Sequence, residues 1–281
     1  MMNQLFPKPL TARFKQERYA FSASPAAISA FDHAVLRQTV RSLFHASFRF
    51  STTPQLVFVE DESLPEEGYE IVISASGVVV SSHFAIGALY AVYTLEQLYD
   101  SQTRSLPCGR IVDAPKLSLR GVMIDISRNK IPRLTTLKRL LPILSRLRIN
   151  HLELYVEGFS MESKTFPDVH SRHRPFRIDE FQTLERIAQE FGIELVGNQN
   201  SFGHMTAWLK RPEFRPLAEC EDGFVQWGYP FPASTMNPTD PESIVFIKRM
   251  LDGFLPYTKA ERFNINCDEP FELGQIGRAH V

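Results

Sequence analysis

Cysteine is scarce in this chain: Cys108, Cys220 and Cys267 are the only three, widely spaced and without a C-x-x-C pair. An odd number at such spacing fits reduced thiols better than a disulfide frame or a zinc site. Cys267 reads as a small buried strand residue rather than a nucleophile. A charge excess of either sign is also missing. The 31 basic and 32 acidic residues are interspersed and leave a net charge of -1, so no field gathers nucleic acid or an anionic membrane surface. A neutral or weakly charged substrate fits better. Long apolar runs are absent as well. Residues 1–15 hold Pro7, Pro9, Arg13 and Lys15 but not the apolar core of about 7 to 15 residues that a secretory signal needs. Nothing approaches the ~18 apolar residues of a membrane span. The expected location is cytoplasmic, with neither nucleic acid nor membrane as a partner.

What is present is a globular composition. With 281 residues, 43% hydrophobic and 22% charged, the chain can bury a core and is long enough for two domains. Residues 1–110 read as a small α+β domain. Gln55 to Glu60 and Tyr69 to Ser74 are β-rich, and Ser76-Gly77 supplies a turn before Val78-Val79-Val80, which predicts a short meander. Phe84, Ala88, Leu89, Val92, Leu95 and Leu98 recur at helical steps and predict one apolar stripe on a helix over 83–99. The stretch 101–115, with Pro107, Gly109 and Pro115, reads as linker, its core placed at 111–118.

From Leu119 the pattern alternates strand and helix, which argues for parallel βα units. Strands are predicted at Gly121 to Ile126, Asn150 to Val156, Ile193 to Val196 and Phe263 to Cys267. Leu134, Leu137, Leu140, Leu141, Leu144 and Leu147 mark the first helix, where Pro142 predicts a kink or break. Ile178, Phe181, Leu184, Ile187, Ala188 and Phe191, stopped by Gly192, mark the second, and a third spans roughly Glu242 to Leu255. Four units over 119–275 are half of the usual eight, so the expected fold class is α/β, a partial (β/α)8 TIM barrel behind a small α+β domain. The last six residues, Ile276 to Val281, lack periodicity and match one reading frame of a common sequencing adaptor. They are read as a non-native tail on a truncated chain, and a half-barrel without its pocket walls is expected to be inactive and poorly stable.

Reacting groups in a parallel barrel come from the C-terminal ends of the strands. There the chain carries Asp125-Ile126-Ser127-Arg128, then Tyr155-Val156-Glu157, then Asn198 to His204, then Asp268-Glu269. Strand parity places Leu152, Leu154 and Val156 toward the helices and His151, Glu153, Tyr155 and Glu157 inward. The same parity puts Asn264, Asn266 and Asp268 inward and Phe263, Ile265 and Cys267 outward. Glu269 then points away from Asp268 unless the chain leaves strand geometry, and Pro270 biases it toward extended or polyproline dihedrals. His170 and His173 read as solvated loop residues, and His204 alone reads as a loop or supporting histidine.

Arg120-Gly121-Val122-Met123-Ile124-Asp125-Ile126-Ser127-Arg128, Ile149-Asn150-His151-Leu152, Gly203-His204, and Asn237-Pro238-Thr239-Asp240-Pro241-Glu242 leading to Asp268-Glu269 together resemble the family 20 glycoside hydrolases, the β-N-acetylhexosaminidases. Tyr69 to Ile73 and Gly87 to Leu98 are similar to that family's N-terminal α+β domain. The resemblance implies removal of terminal N-acetylhexosamine from a carbohydrate by substrate-assisted retention, with no metal or organic cofactor. It assigns Glu269 as general acid/base and Asp268 as the acid orienting the 2-acetamido group. Arg128 matches the arginine gripping the 3- and 4-hydroxyls, and His204 the histidine near the acid. Glu157 and Asn200 complete the substrate-binding set. The chain departs from the family where an Asp-Asp pair is usual and Gly158-Phe159 stands, and where Asn198 and Asn200 replace acids, which marks a divergent subgroup. Two other readings stay open. One is a two-carboxylate glycosidase using Glu157 and Glu269, for which a separation near ~5 Å implies retention and ~6.5 to 9.5 Å inversion. The other is a carbohydrate-binding barrel without catalysis.

Overall fold

A computed structural model describes residues 5–128, 130–170 and 174–274. His173 and the tail beyond residue 274 lie outside the described residues. Internal contacts divide the chain into two compact units. The first gathers residues up to Arg120 with Leu141–Asn150 and Glu190–Ile193; the second gathers the rest. Among the described residues, no helix is long and apolar enough to cross a membrane.

The first unit is built on strands β1 (Thr11–Ala20), β2 (Ala26–Ser29), β3 (Ser47–Phe48), β4 (Leu56–Glu60), β5 (Tyr69–Ser74), β6 (Gly77–Ser82) and β7 (Ser105–Asp113). They form one sheet in the order β1-β7-β5-β6-β4-β2-β3. Alternate residues Leu56 and Phe58, Ile71 and Ile73, Val78 and Val80 turn inward and are buried, the half-buried pattern of a strand with one covered face. Two helices pack with them, α1 (Ala34–Phe44) and α2 (Ala85–Leu98). The N-cap of α1 is His33, whose Nδ1 accepts the Leu36 N–H at 3.1 Å.

Three expectations fail in this unit. The meander is reduced to the β5–β6 hairpin, since β4 lies parallel to β6 and is not adjacent to β5. The stretch read as linker contains β7, which pairs with both β1 and β5. Its Gly109 is not a breaker but a close approach, since a Cβ there would lie 2.3 Å from the Arg13 carbonyl oxygen, the positional use of glycine in strands. Nor does α2 carry a single stripe, because every residue from Gly87 to Leu95 is buried. One side of it is taken by the buried Arg148, which donates to the Tyr90 carbonyl at 2.9 Å and the Thr94 hydroxyl at 3.0 Å. Burial pushes the Tyr69 phenol nearby up to about 12, against the pull of the Arg148 charge.

The second unit carries a four-stranded parallel sheet, β8 (Gly121–Asp125), β9 (His151–Tyr155), β10 (Glu194–Asn198) and β13 (Phe263–Asn264), adjacent in the order β13-β10-β9-β8. Between them run α3 (Leu134–Arg146), α4 (Ile178–Glu190), the short α5 (Thr206–Leu209), a hairpin of β11 (Phe224–Gln226) and β12 (Tyr229–Phe231), and α6 (Pro241–Asp252). The apolar face of α4 is the one its spacing predicts, with Ile178, Phe181, Leu184 and Ala188 buried, and Gly192 follows it at φ +69. The Asp240 side chain caps α6 by accepting the Glu242 N–H at 2.9 Å. Pro142 does not break α3, which continues through it to Arg146.

The fourth strand stops well before Cys267. The Asn264 Oδ1 accepts the Asn266 N–H at 2.9 Å, a side-chain turn that competes with continuation of the ladder. Asn266, Cys267 and Glu269 then take positive φ values of 54, 88 and 47. Cys267 is therefore exposed and outside the strand rather than a buried strand residue. The segment between β10 and α6 packs with the residues after β9 and with α6 into a second core, absent from the periodicity, in which Trp208 meets Phe159, Phe166, Phe214 and Phe246 edge-on.

Candidate active site

The C-terminal ends of the parallel strands bring most of the expected residues together. On β9, Leu152, Leu154 and Val156 are fully buried while Glu153, Tyr155 and Glu157 turn to the opposite side, as parity requires. The Glu153 Oε1 accepts from Asn264 Nδ2 at 2.8 Å and from Asn198 Nδ2, and Asn198 and Asn266 exchange side-chain hydrogen bonds at 2.7 and 3.1 Å. This amide network joins three strand ends around one carboxylate. It also turns Asn198 into a brace, since its Oδ1 accepts the Val156 N–H at 3.1 Å.

Arg128 leaves the end of β8 and donates to Glu157 Oε1 at 2.7 Å, with Asp125 Oδ2 at 3.3 Å from its other amino group. Its guanidinium lies 5.1 Å from the Tyr155 ring centre. The Tyr155 hydroxyl donates to the same Glu157 oxygen at 2.7 Å and accepts from Asn200 Nδ2 at 2.6 Å. Burial and the Glu157 hydrogen bond raise the Tyr155 pKa, the Asn200 bond opposing. For Asp125, burial pushes upward but is outweighed by the Ser127 N–H and hydroxyl, the Arg128 N–H and the Arg128 charge, so its carboxyl titrates below its ordinary range. Arg128 itself is raised, the charges of Glu157, Tyr155 and Asp125 overcoming partial burial.

His204 joins this pair to the acids. Its Nδ1 lies 3.5 Å from Glu157 Oε1, and its Nε2 lies 3.5 Å from Asp268 Oδ2 and 3.1 Å from Glu269 Oε2. The approach to Glu269 is off the line of a hydrogen bond, leaving that buried nitrogen without a directed partner. The ring is held by backbone. His204 has φ +55, and at Gly203 a Cβ would lie 2.0 Å from the Asp268 carbonyl oxygen. Only glycine permits that contact, which explains the Gly-His pair physically. Glu269 differs from expectation: its φ of +47 is neither extended nor polyproline. The left-handed residues on either side of Asp268 are what bring two adjacent acids to one imidazole edge.

Two expected residues stand elsewhere in role. Asn200 is fully buried and reaches Tyr155, not the surface. His170 is half-buried, and its Nε2 accepts the Ser163 N–H at 3.0 Å; burial lowers its pKa. It is not a solvated loop residue. No group of three or more His, Cys, Asp or Glu among the described residues is placed to hold a metal ion.

Two supporting residues were missed by the sequence reading. Tyr155 was placed inward by parity but not assigned to the site. Glu272 gave no signal at all. It is fully buried, its Oε1 accepting the Ser234 N–H and the Thr235 N–H at 3.0 Å, its Oε2 accepting both hydroxyls, that of Ser234 at 2.9 Å. Because the Met205 N–H donates to the Ser234 carbonyl at 2.8 Å, one segment, Ala233 to Met236, fastens both the His204 loop and the Asp268-Glu269 loop. Beside them opens a cleft of about 960 Å³ lined by Arg128, Glu157, Phe159, His204 and Lys210.

Comparison with known proteins gives this geometry its context. The family model for glycosyl hydrolase family 20, domain 2, matches residues 2–114, and that for the family 20 catalytic domain matches residues 118–274. The chain is 32% identical over 168 residues to a beta-hexosaminidase A of Caenorhabditis briggsae, covering 56% of this chain and 30% of that protein. It is 27% identical over 242 residues to beta-hexosaminidase subunit A1 of Dictyostelium discoideum, covering 79% of this chain and 43% of that protein. The chain thus spans less than half the length of either relative. Among solved structures, an exo beta-N-acetylglucosaminidase of Vibrio harveyi in complex with N-acetylglucosamine superposes with a TM-score of 0.82 at 19% identity, over 99% of this chain and 49% of that one. The fold is therefore TIM-barrel-like with an N-terminal domain, and the chain belongs to glycosyl hydrolase family 20.

Proposed function

We propose that the protein removes terminal N-acetylhexosamine residues by substrate-assisted, retaining hydrolysis, with Glu269 as general acid/base and Asp268 orienting the acetamido group. The observation that carries this reading is the convergence of Asp268 and Glu269 on His204 Nε2, with Glu157 and Arg128 on the other side of the same ring. The acetamide oxygen attacks the anomeric carbon, the glycosidic bond breaks, and the Glu269 proton passes to the leaving oxygen. Water then attacks the same carbon, giving a proton back to Glu269 and reopening the oxazoline ring to the acetamide. Asp268 stabilises the positive charge on that ring. Arg128, held by Asp125 and Glu157, presents its remaining donors to the sugar hydroxyls, and His204 spaces the acids from Glu157. The two-carboxylate alternative is disfavoured because the Glu157 Oε1 already accepts from Arg128 and Tyr155, which lowers its nucleophilicity. The solved Vibrio relative carrying N-acetylglucosamine supports the choice of sugar.

Within this reading, residues up to Asp113, which ends β7, are the N-terminal domain, 114–118 the connection and 119–275 the first half of a (β/α)8 catalytic barrel. The exposed Met123 on β8 is a side chain that further strands would cover. The test is a pair of substitutions. Glu269→Gln loses its proton donor, so hydrolysis of glycosides with poor leaving groups drops ~10²- to 10⁴-fold, while activated aryl glycosides suffer less. Asp268→Asn is impaired with both, and binds a thiazoline mimic of the cyclic intermediate weakly where the wild type binds it tightly. Equal sensitivity of both variants to leaving-group acidity, with no thiazoline inhibition of the wild type, would exclude substrate assistance.

A further inference from the structure

The hairpin β11–β12 ends in a turn whose chemistry does not suit its conformation. Gln226 pairs with Tyr229, leaving Trp227 and Gly228 as a two-residue turn with φ values of 51 and 80. Positive φ at both positions is a type I′ turn, whose first position favours asparagine, aspartate or glycine. A bulky aromatic residue there is an outlier, and such strain points to a use for the side chain it displays. Trp227 is 74% exposed, its ring centre is 6.3 Å from that of Phe231, and Tyr229, on the same face of the hairpin as Phe231, is 69% exposed. Among surfaces, a contiguous apolar patch of this kind marks a contact site.

Its position says what the contact is. The Trp227 ring meets Phe271 edge-on, with centres 5.9 Å apart, and the Phe271 N–H donates to the Glu269 carbonyl at 2.9 Å. The aromatic patch therefore runs onto the loop that carries the proton donor of the proposed reaction. The group that receives that proton is the leaving oxygen, so whatever bears this oxygen lies beside Glu269. A pyranose ring offers an apolar C–H face to an aromatic ring, whose face is electron-rich, and turns its hydroxyl edges to solvent.

Resting on the function proposed above, the geometry points to the Trp227 hairpin as an acceptor-side subsite that stacks the sugar unit on the leaving-group side of the cleaved bond. The preferred substrates are then oligosaccharides, in which a second sugar lies on Trp227, rather than glycosides of small alcohols.

Trp227→Ala, Trp227→Phe and wild type are compared on a disaccharide of N-acetylglucosamine and on N-acetylglucosaminyl fluoride, whose leaving group is too small to reach the hairpin. The expected result is that the ratio of the disaccharide KM to the fluoride KM rises about three- to tenfold in Trp227→Ala and recovers in part in Trp227→Phe. The chain has two tryptophans, and Trp208 is 2% exposed, so solvent-sensitive emission reports on Trp227. A thio-linked disaccharide shifts that emission in the wild type and not in Trp227→Phe. An unchanged KM ratio, or loss of the fluoride and disaccharide reactions in equal proportion, overturns the subsite. Conversion of a dimer to a monomer by Trp227→Ala with an unchanged ratio overturns it in favour of a self-association face. Failure of a wild type carrying the complete barrel to hydrolyse either substrate refutes the proposed function itself, whereas disaccharide turnover indifferent to Trp227 refutes the subsite alone.

Discussion

Glu272 allows the clamp on the acid loop to be tested apart from the acids. Its two oxygens divide the work: Oε1 takes the N–H groups of Ser234 and Thr235, and Oε2 takes their hydroxyls. Glu272→Ala leaves the buried Thr235 N–H without an acceptor, at about 1–3 kcal/mol, and frees the half-buried Ser234 N–H to turn to water, so a loss of roughly 1–3 kcal/mol in unfolding free energy is expected before any cavity effect is added. The outcome for Glu272→Gln is different. A carboxamide can keep its oxygen on the two N–H groups and turn its NH₂ toward the hydroxyls, which rotate to accept. Only the charge assistance is lost, about 1–2 kcal/mol. Urea denaturation of the three proteins measures the difference, and limited proteolysis within 268–274 shows whether the acid loop is released. If Gln is as damaging as Ala, the carboxylate acts through its charge and not through this division of acceptors. If Ala costs under 1 kcal/mol, the clamp reasoning fails.

The Gly203 contact makes a second prediction. Gly203→Ala puts a methyl 2.0 Å from the Asp268 carbonyl oxygen, so the acid loop has to move. The expected stability cost is about 1–3 kcal/mol, with a fall in kcat/KM of ~10²-fold from misplaced acids, and a variant with wild-type kcat/KM would show that the contact does not position them. Tyr155→Phe leaves the buried Asn200 Nδ2 without its acceptor, at about 1–3 kcal/mol. Because the folded phenol titrates above its ordinary value, its contribution is full below pH ~10 and declines as pH rises past that, where the unfolded phenol ionises first. Urea unfolding at pH 8 and pH 11 should show the wild-type advantage over Tyr155→Phe shrinking; an advantage that grows with pH would contradict the raised pKa.

How much of this was legible depended on whether a residue's role followed from its own neighbourhood. The inward set on β9 was readable because alternation alone separates Leu152 and Leu154 from Glu153 and Tyr155. The helices α3 and α4 were readable from apolar spacing, and the end of α4 from the Gly192 signal. β7 was hidden because Pro107 and Gly109 look like turn residues until the Arg13 backbone is placed against Gly109. Glu272 and Asn200 were unreadable in role because burial by residues distant in sequence leaves no periodic trace. The aromatic core around Trp208 was missed for the same reason.

The strained positions give the remaining step. Left-handed φ at non-glycine residues runs against local preference, and sequence rules correctly fail where function overrides them. Among the described residues such positions include His204, Asn266, Cys267 and Glu269. These four stand at the ends of β10 and β13, where two acids have to meet one imidazole, and a regular strand cannot place adjacent side chains on one side. Leaving the strand is thus a geometric requirement of an Asp-Glu pair acting together, and the asparagine turn at Asn264 is the device that accomplishes it. Trp227 is a fifth such residue, and its ring meets Phe271 two positions beyond Glu269. His45, Arg104 and Arg148 share this trait in the first unit, whereas the five in the second lie along the path from the histidine to the acids to the exposed indole, where the proposed reaction needs a saccharide held on both sides of the bond being cut.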